Sequence, residues 1–282
     1  MIITALFVLI LVGAAITAGC TFKDGKEKIK DKIDDVFSDK IKKWDECKKS
    51  SNWTGKNAAK RMMNMLSPNM PDSVFNERLN FIKSRGCDHA NVFVCNKGDG
   101  EYAGYSIYGN SITWIINKNF CSVMEKRIKK LKDSGLGIVL WLAADDDGGW
   151  NKELAKHFAE YSKDIKSLGW FKYASAVVIG LECDEYWNAN QVVANIAALR
   201  KEYSGKIGVH MTSGKWDWVK AADILFYQTN PGKSAAQIES ETKTVVAKCG
   251  GKPVCFFEME RNENRDLCEA AFRGGAYSVG NW

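Results

Sequence analysis

From about residue 53 onward, short continuous apolar runs alternate with longer amphipathic ones. The runs are 61–66, 91–96, 138–144, 177–182, 207–211, 224–227, 254–258 and 276–279. Their length and lack of alternation suit strands buried on both faces. Between them, 73–84 carries the stripe Val74, Leu79, Phe81 and Ile82, and 122–133 carries Met124, Ile128 and Leu131. The segments 152–168, 191–203, 235–248 and 265–273 also read as helices. Gly86, Gly135, Gly205, Gly250 and Gly274 stand at helix-to-strand junctions, where a left-handed residue ends a helix. Repeated β-α units imply a parallel sheet. Eight of them over residues 53–282 match an α/β fold of the (β/α)8 TIM-barrel kind, which needs about 250 residues. A doubly wound open sheet is the alternative, but no glycine-rich phosphate loop follows the first expected strand.

In such a barrel the chemistry sits at the C-terminal ends of the strands. The second run leads into Asn96–Tyr102, which contains Asp99. The third ends at Asp145, Asp146 and Asp147, and the fourth at Glu182, Asp184 and Glu185, followed by Trp187. The fifth ends at His210, the sixth at Tyr227 and Gln228, and the eighth at Trp282. The seventh, PVCFF, ends at Glu258, with Glu260 two residues on and Arg261 beside it. Residues two apart in a strand share a face, and buried carboxylates need partners. Two acids there are costly as structure and make sense as a catalytic rim.

The strand ends VVIGLE182 and PVCFFE258 resemble those of the retaining TIM-barrel glycoside hydrolase clan. The Lys-Pro-Val opening of the seventh run and the aromatic Trp282 are similar to its cellulase-like branch. That resemblance implies a Glu acid/base at the end of strand four, Glu182, and a Glu nucleophile at the end of strand seven, Glu258. It is architectural and covers about residues 53–282. The clan's usual Asn before the strand-four Glu is here Leu181. The phrase GLECDEYW is also a little like the acidic strand ends of barrel-type lysozymes.

Two carboxylates suit glycoside cleavage because one must be protonated for the leaving oxygen and the other ionised at the anomeric carbon. Strand parity groups Glu182 with Val178 and Gly180, so Gly180 leaves room inside the barrel. Glu185 and Glu260 are the reserve acids, with Arg261 an ion-pair partner for Glu260. Asp99, Asp145 and Asp146 are candidates for sugar hydroxyls. Asp147 suits a helix cap. His210 either tunes a carboxylate or is a hydrogen-bonded structural residue. Tyr227, Gln228, Trp187 and Trp282 are candidate substrate contacts; Trp141 is a platform residue or plain core. No cofactor is expected. An oxygen-rich divalent-ion site at Asp145, Asp146, Glu182 and His210 is the weaker reading, since no HxH cluster supports it.

Residues 2–19 carry no charge, and Thr17-Ala18-Gly19-Cys20 resembles a lipobox. The expectation for 1–20 is a signal peptide or membrane anchor. Residues 21–52 read as a charged amphipathic helix or linker with Ile29, Ile33, Val36, Phe37, Ile41 and Trp44 on one face. The lysines after the apolar segment argue for a cytoplasmic orientation, whereas the lipobox and an even set of eight further cysteines favour export. An exported, membrane-anchored domain is the expectation. Cys249 and Cys255 flank one turn and suit a disulfide, unless the cysteines are small core hydrophobes. Net charge is +6, the basic residues are dispersed, and no nucleic-acid motif is present. A carbohydrate partner fits the ten Trp and nine Tyr. The competing readings are a phage-type signal-anchor endolysin acting on peptidoglycan and a non-catalytic glycan-binding lipoprotein.

Overall fold

The computed structural model describes residues 64–84, 89–98, 100–109, 113–144, 148–212, 216–257 and 265–280. In chain order the elements are α1 (Asp72–Ser84), β1 (His89–Phe93), α2 (Lys118–Asp133), β2 (Gly137–Trp141) and α3 (Gly148–Ser167). A 3-10 turn, Trp170–Tyr173, leads into β3 (Ala174–Val178), α4 (Cys183–Tyr186), α5 (Ala189–Glu202) and β4 (Lys206–Met211). Then come α6 (Trp216–Ala221), β5 (Ile224–Gln228), α7 (Ala235–Lys248), β6 (Val254–Phe257), α8 (Arg265–Arg273) and β7 (Ser278–Gly280).

All neighbouring strands pair in parallel, in the order β1-β2-β3-β4-β5-β6-β7. The order never reverses, as it would in a doubly wound sheet. Right-handed crossovers then place every helix on one face. Yet consecutive strand residues are buried, as in Val139-Leu140-Trp141 and Val177-Val178-Ile179. The face without helices must therefore bury itself, and ring contacts show how. The Trp141 ring (β2) lies 5.4 Å from that of His210 (β4) and 5.2 Å from that of Phe226 (β5). Strands β2 and β5 are three spacings apart, about 14 Å in a flat sheet, so the sheet curls and Trp141 fills its inside. The fold is α/β and TIM-like.

Several expectations need correction. Residues 64–66 of the first expected strand form a turn, with Ser67 N–H donating to the Asn64 carbonyl at 2.9 Å. Met65 and Leu66 are fully buried without joining a sheet, which is why the run reads as a strand; 61–63 lie outside the described residues. Among the described residues the strands thus number seven. The expected disulfide is absent, because Cys249 and Cys255 are free, buried thiols like Cys95, Cys121, Cys183 and Cys268. The apolar segment 2–19, Cys20 and the charged stretch lie outside the described residues, among which no helix is long and apolar enough to cross a membrane.

Two helix ends show what glycine does here. After α2, Gly135 (φ +84°) donates to the Lys132 carbonyl and Leu136 to that of Leu131, the Schellman pattern. After α8 the left-handed residue is Gly275 (φ +99°), not Gly274. Gly274 is there for space, since a Cβ would sit 2.5 Å from Thr242.

Buried Arg127 on α2 clamps the segment before α1. It donates to the carbonyls of Ser67 and Met70 and pairs with Asp72 at 3.0 Å. Removing the guanidinium strands two buried acceptors. Arg127→Met is expected to lower unfolding free energy by about 2–5 kcal/mol in urea titrations. Asp72→Asn, on an exposed carboxylate, is expected to lower it by less than about 1 kcal/mol.

Candidate functional site

Strand register fixes which side chains meet at the C-terminal rim. Val178 on β3 pairs with Gly208 on β4, His210 with Phe226 on β5, and Tyr227 and Gln228 with Phe256 and Phe257 on β6. The chain beyond Val178 therefore passes beside His210.

Glu182 lies in no strand. It is the half-buried residue before α4, at φ 45° and ψ 44°, so the strand-parity grouping with Val178 and Gly180 does not hold. The left-handed region is unfavourable for a residue with a Cβ, by about 1–2 kcal/mol. Such outliers persist where the surroundings over-determine them, and here they do. Glu182 N–H donates to His210 Nδ1 at 2.8 Å. Leu181 N–H donates to the Ala143 carbonyl at 3.0 Å, and the Tyr186 hydroxyl donates to the Leu181 carbonyl. The space at Gly180 is used by the same tyrosine, since a Cβ there would lie 2.7 Å from Tyr186 Oη.

Asp184 ties the turn to β4 a second time. Its carboxylate accepts from Thr212 N–H at 3.2 Å and from Thr212 Oγ1 at 3.1 Å. Neither Thr212 nor Tyr186 was among the expected site residues. The available signal was the spacing in His-Met-Thr, which returns Thr212 to the side of the strand that carries His210.

His210 is fully buried. Burial pulls its pKa down to about 3, although Asp184 pulls the other way. The imidazole is therefore neutral across the physiological range. Because Nδ1 accepts a hydrogen bond, the proton is on Nε2. Of the two roles expected for His210, the structure shows the hydrogen-bonded one, and its bond is to the backbone of Glu182.

Tyr227 is half-buried and donates to Glu241 on α7 at 3.0 Å. Burial and that carboxylate raise its pKa. Thr229 Oγ1 and Lys233 Nζ also reach Glu241, at 2.5 and 2.7 Å. Gln228 is half-buried, and its Oε1 is buried without a hydrogen-bond partner among the described residues. Glu185 is exposed on α4. Trp187 is not a platform residue: it is 3% exposed, donates to the Asn151 carbonyl at 2.8 Å and meets Phe158 edge-on. Trp141 is plain core. Asp99, Asp145, Asp146, Asp147, Glu258, Glu260, Arg261 and Trp282 lie outside the described residues. Phe257, just before Glu258, is paired to Gln228 and Gly280. Among the described residues, no three His, Cys, Asp or Glu converge as a metal site.

No protein-family model and no curated protein matches the chain. Solved structures do. A candidate glycoside hydrolase from Bacteroides vulgatus is similar with a TM-score of 0.61 at 17% identity, over 77% of this chain and 49% of that one. This chain thus spans about half the length of that structure. A GH113 β-1,4-mannanase has a TM-score of 0.48 at 13% identity, over 73% and 82% of the two chains. A family 1 β-glucosidase from Thermotoga maritima has 0.48 at 11%, over 65% of each. These neighbours are described as a glycoside hydrolase, a mannanase and a glucosidase, and the likeness is one of fold, which the first of them carries.

The His210 environment has a pH signature. Between about pH 6.5 and 3 the unfolded chain binds a proton at His210 that the folded chain does not. The stability is complete above that window and falls as pH drops through it, by up to ~1.4 kcal/mol per pH unit. Urea midpoints between pH 7 and 4 are expected to fall more steeply in the parent than in His210→Asn. Equal slopes would contradict a buried neutral imidazole.

Proposed function

We propose that this chain is a glycoside hydrolase that cleaves a polysaccharide or glycan with two glutamates. Glu182 is the acid/base and Glu258 the nucleophile. The observation that carries the reading is the constrained backbone of Glu182, held at the C-terminal end of β3 by groups from β4. The rim of a TIM-like sheet is where such folds place chemistry. Glu258 follows Phe257 at the end of the seventh expected run, which is β6, the sixth strand among the described residues; the clan resemblance puts a nucleophile at the end of strand seven. The fold neighbours, described as glycoside hydrolases, support the same class.

The division of labour follows from charge. Glu182, half-buried before α4, is assigned as the carboxyl that gives a proton to the leaving oxygen. An ionised Glu258 then attacks the anomeric carbon. Glu182, ionised once it has given its proton to the leaving oxygen, then takes a proton from a water whose oxygen attacks the anomeric carbon and breaks its bond to Glu258. Gln228, half-buried at the end of β5, is kept as a candidate sugar contact. The apolar segment 2–19 is proposed to tether the domain at the cell envelope, by lipid at Cys20 or as an uncleaved anchor. With peptidoglycan as substrate this becomes the endolysin variant, marked by lysis only when the anchor is present.

One observation favours a second reading, a glycan-binding protein without turnover. Where the clan has Asn, Leu181 is 4% exposed and offers a sugar only an apolar side chain.

Reducing-end release by the full chain on peptidoglycan and a polysaccharide panel is expected to fall at least ~100-fold in Glu182→Gln and in Glu258→Gln, with folding retained. Release that persists in both variants would show that other acids do the chemistry. Tight glycan binding without release by the parent would favour the second reading.

A further inference from the structure

We propose that His210 is a positioning residue, a fixed acceptor that aims the Glu182 carboxyl by holding its backbone N–H. This rests on the assignment of Glu182 as acid/base. Three observations combine. The first is conformational. At φ 45° and ψ 44° Glu182 occupies a region that a Cβ-bearing residue leaves unless held. Relaxation to an ordinary backbone region would swing the Cα–Cβ bond and carry the carboxyl away from its place on the rim.

The second is where the restraint comes from. His210 belongs to β4, and its ring is locked. It is fully buried, packs edge-on against Trp141 at 5.4 Å, and sits in register with Phe226. The strand itself is pressed into place at Gly208, where a Cβ would lie 2.6 Å from the Phe226 ring. An acceptor carried on so rigid a strand fixes the donor with little freedom.

The third is that the turn is fastened to β4 twice, at Glu182 N–H by His210 and at Asp184 by Thr212. Glu182, which carries the first tie, is half-buried, and Cys183 lies between the two. Cys183 is buried and donates to the Gly180 carbonyl at 3.1 Å. The arrangement sets the direction of one carboxyl while leaving its protonation to its own surroundings.

A space-filling role and a positioning role differ in what a substitution does. Asn at 210 can present Oδ1 near the place of Nδ1 and accept the same N–H, whereas Leu fills volume without accepting. The test uses the full-length parent, His210→Asn and His210→Leu, with kcat and KM measured on the substrate that the parent cleaves. The expected result is a kcat about 100-fold lower in His210→Leu with KM changed little, since small misplacements of reacting groups act on that scale. His210→Asn is expected to recover most of the loss. A folded His210→Leu with parental kcat overturns the proposal, and so do equal losses in the two variants.

Because His210→Leu can fail to fold, a second measurement is made on the parent. A through-hydrogen-bond nitrogen–nitrogen coupling between His210 Nδ1 and the Glu182 amide is expected in spectra of the labelled protein near pH 7. A protonated Nδ1 without coupling overturns the proposal. An inactive parent would remove the glycosidase reading, and the coupling would still decide whether His210 holds Glu182.

Discussion

A parallel sheet wound in one direction has helices on one face and nothing but itself on the other. That constraint governs the rest of this structure. The strands carry apolar residues on both faces, so the face without helices is satisfied by curling until side chains of distant strands meet. Trp141 makes that contact, with Phe226 from β5 and His210 from β4 around it, and its indole N–H donates to Asn91 on β1 at 3.1 Å. The filled interior has a floor of aromatic rings. Above it, at the C-terminal ends of the strands, the apolar runs stop and polar groups begin.

At that rim the protein fixes backbone before it fixes side chains. The Glu182 turn is held through its N–H, through the neighbouring Leu181 carbonyl and through the Asp184–Thr212 tie. A buried histidine would be expensive in its charged form, and here it stays neutral and acts as an acceptor. A buried acceptor that holds one backbone N–H favours one arrangement of the turn, which is what a site that must place a carboxyl accurately requires.

Much of the architecture was legible in the sequence because its cause is local. Continuous apolar runs separated by amphipathic stripes give parallel strands and covering helices, and seven of the eight expected runs contribute a strand to the sheet. What failed depended on context. Residues 64–66 are as apolar and buried as a strand but close a turn, which a short run cannot reveal. Parity placed Glu182 in β3, whereas the strand ends at Val178 and the left-handed turn takes over. Trp187 reads as a rim aromatic, yet its indole is drawn into the wall by Asn151 and Phe158. His210 was visible as a polar strand end. Its use as an acceptor for a backbone N–H was not, because that bond joins residues 28 apart and depends on the register of β3 with β4.

The separation of the Glu182 and Glu258 carboxyl groups in a crystal structure of the full chain tests the two-glutamate rim most directly. A retaining pair stands about 5–5.5 Å apart, and an inverting pair about 6.5–9.5 Å. The expected result is a separation in the retaining range, with both carboxyls facing one cleft. Carboxyls more than about 10 Å apart, or facing different surfaces, would contradict it.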